Sequence, residues 1–380
     1  MTNSPGRYLS PFIEADLKEK MVFLSGPRQV GKTTLALNLL GGDESHPGYF
    51  NWDKDAHREK ILGAEFPPHQ KLIVFDEIHK YKRWRNYLKG LFDTTKTSRQ
   101  YLVTGSARLD LYRRGGDSLT GRYHFYQLHP YSLREADHEC KRTTVESLLK
   151  FGGFPEPFFA QSERRHRRWQ EERKHQVLRE DLRDLEKVEE VVLVSRLADR
   201  LPDLVGSPLS VNALREDLQV AHRTVENWLQ ILERLFVIFR ISPFGGPKIR
   251  AVKKEQKAYC WDWSLVPEPG ARFENLVACQ LLKYCHFLEN TEGFSMELRY
   301  IRDTDKREVD FVVIKSGKPL FAVECRLSDR DIPNSIPYFS ERLPIPNFYL
   351  VHLAEKNFEH ATVPLRVLPF HDFVREQKLP

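Results

Sequence analysis

The sequence predicts an α/β chain: a P-loop NTPase domain, then a winged helix-turn-helix, then an α+β domain. Three observations carry this. A complete phosphate-loop motif, G-x-x-x-x-G-K-[ST], occupies residues 26–33. Up to about Pro130, short apolar runs alternate with polar, helix-like stretches, the pattern of a doubly wound domain around a buried parallel sheet. Beyond about Leu201 the pattern changes to two short amphipathic helices, then to a long helix followed by strand-like runs.

The 380 residues exceed one ordinary core, so two or three domains are expected. The divisions fall at 1–135 for the ATPase core, 136–200 for a helical lid or linker, 201–246 for the winged helix-turn-helix and 247–380 for the α+β domain. Hydrophobic residues make up 41% and charged residues 29%, which fits a soluble globular chain and not a disordered one. No apolar run approaches ~18 residues, and the opening "MTNSPGRYLSPFIEADLKEK" is not a secretory signal. The cysteines (Cys140, Cys260, Cys279, Cys285, Cys325) form no CxxC pair and sit mostly in apolar stretches. They are expected as reduced, buried thiols in a cytoplasmic protein. The net charge of +6 permits a nucleic-acid partner without requiring one.

The phosphate loop sits where its chemistry needs it. It follows the strand-like "MVFLS" and opens the helix-like "TTLALNLL". Gly26, Pro27, Arg28, Gln29, Val30, Gly31, Lys32, Thr33 and Thr34 are the candidate nucleotide contacts. The glycines let backbone N–H groups wrap a phosphate, Lys32 reaches the β- and γ-phosphates, and Thr33 ligates Mg²⁺. "LIVFDEIH" supplies Asp76 at a strand end to hold the Mg²⁺ shell, and Glu77 to orient and polarise the attacking water. ATP and Mg²⁺ are therefore the expected cofactors. "YLVTGSA" ends a third strand and offers Ser106 to the γ-phosphate or the water, with Thr104 as the alternative. Downstream, Arg122 is a candidate to stabilise transition-state charge, in competition with Arg108, Arg113 and Arg114. Spacing does not decide whether that arginine serves its own subunit or a neighbour.

In residues 207–244, Ser210 is a good N-cap for a helix carrying Leu214 and Leu218. A turn near 219–222 leads to a second helix with Val225, Leu229, Leu232 and Leu235 at helical spacing. Arg223, Thr224 and Asn227 on that helix are candidate DNA contacts; Trp228 fits the core equally well. Two basic stretches flank this region, residues 163–175, with Arg164, Arg165, Arg167 and Arg168, and residues 247–257, with Lys253 and Lys254.

The strands "VDFVVIKSGKPLFAVECR" place Asp310 and Glu324 close together, with Arg326 two positions on. Asp310 and Glu324 can bring two hard oxygen ligands to one Mg²⁺. Arginine cannot accept a proton as a lysine there could, but its fork of donors holds phosphate well. The expected outcome is a domain that grips DNA, through Arg326 among others, and cuts weakly or not at all.

The motifs "SGPRQVGKTTL", "LIVFDEIHKYKRW", "YLVTGSARL", "LTGRYHFYQLHPYSLRE" and "FGGFPEPF", in this order, resemble a large group of prokaryotic AAA+-type ATPases. In that group a winged-helix segment precedes a restriction-endonuclease-like domain that was long of unknown function. The resemblance implies Walker A and B roles for Lys32, Thr33, Asp76 and Glu77, a sensor role for Ser106 and a finger role for Arg122. Glu274, Asp310 and Glu324 follow the order of a restriction-endonuclease-like site. The resemblance also implies action on DNA and ring or partial-ring homo-oligomers, a hexameric ring among them; a nuclease-like fold makes duplex or branched DNA the expected partner, and the lack of a long apolar run gives no membrane partner. The leading expectation is an ATP-hydrolysing DNA motor or remodeller. The alternatives are an ATP-dependent nuclease in repair or defence, and a regulatory ATPase switch controlling a protein partner.

Overall fold

The computed structural model describes residues 6–105, 119–182, 190–245, 255–329 and 332–380. They divide into two compact units after Pro130, with residues 234–236 grouped with the first.

In the first unit, β1 (Met21–Ser25), β2 (Tyr49–Asn51), β3 (Leu72–Asp76), β4 (Gln100–Thr104) and β5 (Tyr123–Gln127) form one sheet in the order β2-β3-β4-β1-β5. Every pairing is parallel. The apolar runs are continuous because both faces are covered. Phe23, Phe75, Tyr101 and Val103 pack on one side with Trp84 and Leu88 of the helix Trp84–Thr95. Val22, Leu24, Val74 and Leu102, which alternate with them, are equally buried. Parallel strands place all carboxyl ends on one edge. Ser25, Asp76 and Thr104 therefore end side by side, which is where the loops of such sheets carry function.

The second unit opens with helices, as residues 136–200 lead one to expect: Arg142–Phe151, Pro155–Ala160, Glu163–His175 and Val191–Arg200. The glycine pair of "FGGFPEPF" forms a tightly packed corner. A Cβ on Gly153 would lie 2.4 Å from the Trp263 ring, and Gly152 has φ +74°. The two helices that follow are Val211–Leu218 and His222–Arg234. Ser210 caps the first by accepting from the Ala213 N–H at 3.2 Å, and Gln219 ends it with φ 56°.

The next strands are β6 (Ile238–Phe244), β7 (Lys257–Cys260), β8 (Met296–Arg302), β9 (Glu308–Lys315), β10 (Lys318–Arg326), β11 (Phe348–His352), β12 (Phe358–Glu359) and β13 (Leu365–Pro369). They form one mixed sheet in the order β12-β13-β11-β10-β9-β8-β6-β7. Here the structure differs from the expected division at 246/247. β6 was assigned to a wing, but it pairs in parallel with β8 and antiparallel with β7, inside the sheet of the C-terminal segment. The reason is its burial pattern: Ile238, Phe239 and Ile241 are covered, and an isolated wing has no second face to bury. The long helix Pro269–Glu292 packs on the sheet through Phe273, Leu276, Val277 and Leu281.

Candidate functional site

The nucleotide loop is built from close approaches. Gly26 has φ +150°, and a Cβ there would sit 2.4 Å from the Leu128 carbonyl oxygen. Gly31, at φ 98°, turns the chain into the helix Lys32–Leu40. Lys32 is buried and donates to the carbonyls of Gly26 at 3.0 Å and Pro27 at 2.8 Å, bracing the loop it belongs to. Pro27 and Val30 are buried, Arg28 and Gln29 are partly exposed, and Thr34 faces outward.

Asp76 is the hub of the site. Its Oδ2 accepts from Thr33 Oγ1 at 2.9 Å and from the Tyr49 hydroxyl at 2.8 Å, while Oδ1 accepts from Thr104 Oγ1 at 2.5 Å. Thr33 and Asp76, 43 residues apart, thus meet as a Mg²⁺ pair must. Thr104, the alternative for γ-phosphate contact, instead orients Asp76. Glu77 follows at φ 58°, a left-handed conformation that a glutamate rarely adopts, with its N–H donating to the Thr104 carbonyl at 3.0 Å. His79 Nε2 lies 3.4 Å from the Glu77 carboxylate. Burial pushes the Glu77 carboxyl up to about 7, helped by the Asp76 charge and opposed by Lys32. Donor N–H groups, a lysine, a hydroxyl and a carboxylate on one edge fit a nucleoside triphosphate with Mg²⁺.

Tyr49 was not legible as a site residue; it sits on a three-residue strand with no motif. Nor was Arg7, which is buried and donates from Nη1 to the Val30 carbonyl at 2.7 Å and from Nη2 to the His129 carbonyl at 2.5 Å. It ties the phosphate loop to the segment after β5. Ser106, Arg108, Arg113, Arg114, Lys253 and Lys254 lie outside the described residues.

Arg122 requires a correction. It was a candidate to reach the γ-phosphate of its own subunit or of a neighbour. Instead it forms a fork with Asp93 of the helix Trp84–Thr95, Nε to Oδ1 at 2.8 Å and Nη2 to Oδ2 at 3.0 Å. It also precedes β5, and Met21 pairs with Tyr123 whereas Ser25 pairs with Gln127. Arg122 is therefore at the amino edge of the sheet, five to six strand residues or about 17–20 Å from the phosphate loop. It is not placed to reach a γ-phosphate bound in its own subunit.

In the second unit, an open cleft of about 720 Å³ is lined by Glu274, Glu308, Asp310, Glu324 and Arg326, among others. Asp310 and Glu324 are indeed adjacent, and Glu274 comes to them from the long helix. Asp310 Oδ2 accepts from the Cys325 N–H at 2.8 Å, and Arg326 Nη2 is 2.7 Å from Glu324 Oε1. Burial, then the charges of Glu274 and Glu324, holds the Asp310 carboxyl well above its usual range. Burial raises Glu324 to about 7 against the pull of Arg326.

A second correction concerns Lys257, grouped above with a basic stretch. Its side chain is wholly buried, with Nζ 3.2 Å from Glu274 Oε1, 2.5 Å from Glu308 Oε1 and 3.8 Å from Asp310 Oδ1. Burial works against its charge, but Glu274, Asp310 and Glu308 outweigh it and raise its pKa. Tyr259 donates to Glu274 Oε1 at 2.7 Å. Among the described residues, no three His, Cys, Asp or Glu side chains are arranged to hold a metal ion. The carboxylates of Asp310 and Glu324 do not fit the expected Mg²⁺ as they stand, because Asp310 and Glu274 face the ammonium of Lys257.

On the helix His222–Arg234, Arg223, Asn227 and Gln230 are exposed, Thr224 is half-buried, and Trp228 is core. The acidic side of that helix is closed off: Arg240 of β6 forks onto Glu233 and reaches Glu226 at 2.8 Å. Arg164, Arg165, Arg167 and Arg168 are exposed on Glu163–His175, whose inner face is His166, Trp169 and Arg173. All five cysteines are free thiols, and four of them are buried. No helix among the described residues is long and apolar enough to cross a membrane.

Comparison with known proteins divides the chain into three segments. Residues 18–136 match an AAA domain. Residues 142–268 and 269–373 match two domains of unknown function, DUF8612 and DUF4143. An uncharacterized protein of Mycobacterium tuberculosis is 25% identical over 355 residues, covering 89% of this chain and 77% of that protein. One from Methanocaldococcus jannaschii is 23% identical over 391 residues, covering 84% and 78%. A solved structure of Bacteroides Pif1 bound to ssDNA covers 98% of this chain and 97% of its own at 13% identity, but its TM-score of 0.24 is too low to indicate a shared fold. The chain carries an AAA-type ATPase domain with a parallel sheet of P-loop NTPase character, followed by two segments whose families have no stated function.

Proposed function

We propose that the chain is an ATP-hydrolysing, DNA-acting motor or remodeller. The observation that carries hydrolysis is Glu77, held beside the Thr33–Asp76 pair with its carboxyl raised to about 7. A pure nucleotide switch needs the loop and the metal pair but no such base. Lys32 exchanges its two loop carbonyls for phosphate oxygens, and the Gly26–Gly31 amides hold the same phosphates. Thr33 and Asp76 hold Mg²⁺, with Thr104 and Tyr49 fixing Asp76 from behind. The ion supplies positive charge to the phosphate oxygens. Glu77 takes a proton from the attacking water, and Ser106 contacts that water or the γ-phosphate. Arg122 serves a neighbouring subunit, which makes the active form an oligomer.

The DNA reading rests on the exposed Arg223–Asn227–Gln230 face, whose helix has its acidic side neutralised by Arg240. The acidic cleft of the second unit, with Arg326 half-exposed at its mouth, holds DNA backbone and cuts weakly or not at all. The divisions 136–200, 201–246 and 247–380 keep their roles as lid, winged helix-turn-helix and nuclease-like domain in this account, although the last two share one sheet. Steady-state ATP hydrolysis with and without single-stranded, duplex and four-way DNA tests it. Hydrolysis that rises with DNA supports a motor; slow hydrolysis indifferent to every DNA favours the switch that controls a protein partner.

A further inference from the structure

Acidic clusters in a nuclease-like cleft ordinarily need a cation to hold them together, since like charges at this range repel. In this cleft Glu274 comes from the long helix, Glu308 and Asp310 from β9, and Glu324 from β10. Three of the four, Glu274, Glu308 and Asp310, meet at one atom, Lys257 Nζ, at 3.2, 2.5 and 3.8 Å. We propose that the Lys257 ammonium is the resident cation of the cleft: it takes the place a divalent metal ion would take, and its removal turns the cleft into a site for one such ion.

Three observations support this. The first is burial. Lys257 has no exposed side-chain surface, and the Tyr300 ring lies 5.5 Å from its Nζ, so the ammonium cannot leave the cluster while the unit is folded. The second is charge. Beside the four carboxylates stand Lys257, Arg302 on Glu308 and Arg326 on Glu324. Lys257 Nζ already faces three of the four carboxylates, so a divalent ion finds no open place among them while the ammonium is there. The third is orientation. Glu274 Oε1 is shared by Lys257 and Tyr259, and Asp310 Oδ2 is taken by the Cys325 N–H. Glu324 Oε2 is buried with no hydrogen-bond partner, an acceptor left over for an incoming cation or donor. The inference rests on the nuclease-like reading of the cleft and supplies a reason for weak cutting that does not depend on Arg326.

The test measures Mn²⁺ binding by electron paramagnetic resonance on the full chain without nucleotide. Asp76→Asn is placed in every sample to silence the nucleotide metal site. The parent chain should show no site tighter than millimolar. Lys257→Ala and Lys257→Met should each gain one Mn²⁺ at least tenfold tighter, lost again on adding Asp310→Asn. Melting in Mn²⁺ and in EDTA runs alongside. A Lys257 variant that folds only with Mn²⁺ also supports the proposal. Parent-chain Mn²⁺ binding abolished by Asp310→Asn overturns it. So does a Lys257→Ala or Lys257→Met chain with native melting and no gain, or failure of both to fold in either condition. Duplex binding by the parent and by Arg326→Ala, measured on the same preparations, judges the DNA reading separately. If no sample binds DNA, that reading falls while the metal result still decides the role of Lys257.

Discussion

Lowering the pH from 8 to 6 should cost the proposed ATP hydrolysis about tenfold in kcat/KM. Glu77 works as a base only when ionised. Burial and the neighbouring Asp76 charge lift its carboxyl from 4.5 to about 7, and Lys32 only partly restores it. A group at that value is roughly nine-tenths ionised at pH 8, half at pH 7 and a tenth at pH 6. The sign follows from which form is active: activity rises with pH, with its midpoint near 7. The profile of kcat/KM is the right observable because it reports the free enzyme, which is the state described here. Glu77→Gln should lower the rate by roughly a hundredfold or more and abolish the acid limb. The assay is phosphate release at subsaturating ATP from pH 5.5 to 8.5 in constant-ionic-strength buffers. A flat profile between pH 6 and 8, or the same limb surviving in Glu77→Gln, would refute the assignment.

Three further outcomes are expected. Arg122→Ala should lose ATPase activity roughly a thousandfold, and mixing it with Glu77→Gln subunits should restore part of it at shared interfaces. Mixtures no more active than their parts, or a monomer under ATP by mass photometry, would remove the trans role. DNA affinity should fall steeply with salt as counterions are displaced. Arg223→Glu and the paired charge reversal Arg167→Glu/Arg168→Glu should weaken it, read by fluorescence anisotropy at two salt concentrations; salt-insensitive binding would contradict this. Glu324→Gln should raise the melting temperature at pH 8 but not at pH 4. The folded carboxyl at about 7 against 4.5 unfolded contributes stability that is present at low pH and lost as pH rises through 7, a difference of up to about 3 kcal/mol.

The first unit was legible because its chemistry is local. Residues 26–33 carry their own turn, and Asp76 and Glu77 directly follow an apolar run. What escaped was set by strand order. Only the pairing of β3 with β4 shows that Thr104 faces Asp76, and only that of β1 with β5 shows that Arg122 lies at the far edge. Tyr49 and Arg7 act through single long-range hydrogen bonds, and neither residue type at those positions signals that by itself. In the second unit, helix caps such as Ser210 were readable, and Asp310 and Glu324 were found from their spacing. Lys257 was misjudged because it ends a run of basic residues, where solvent exposure is the ordinary outcome; it is buried as the first residue of β7, paired with β6. The strand Ile238–Phe244 was placed in a wing because a wing and a sheet strand share one apolar pattern in sequence, and only its pairing with β8 tells them apart.

The account stands most directly on steady-state hydrolysis of ATP by the purified full chain, its Lys32→Ala variant and its Glu77→Gln variant, each with and without duplex and four-way DNA. The wild-type chain should hydrolyse ATP and do so faster with DNA. Lys32→Ala should be inactive, and Glu77→Gln should bind nucleotide yet turn it over at a hundredth of the rate or less. Wild-type turnover in Glu77→Gln, or hydrolysis that no DNA alters, would contradict the central claim.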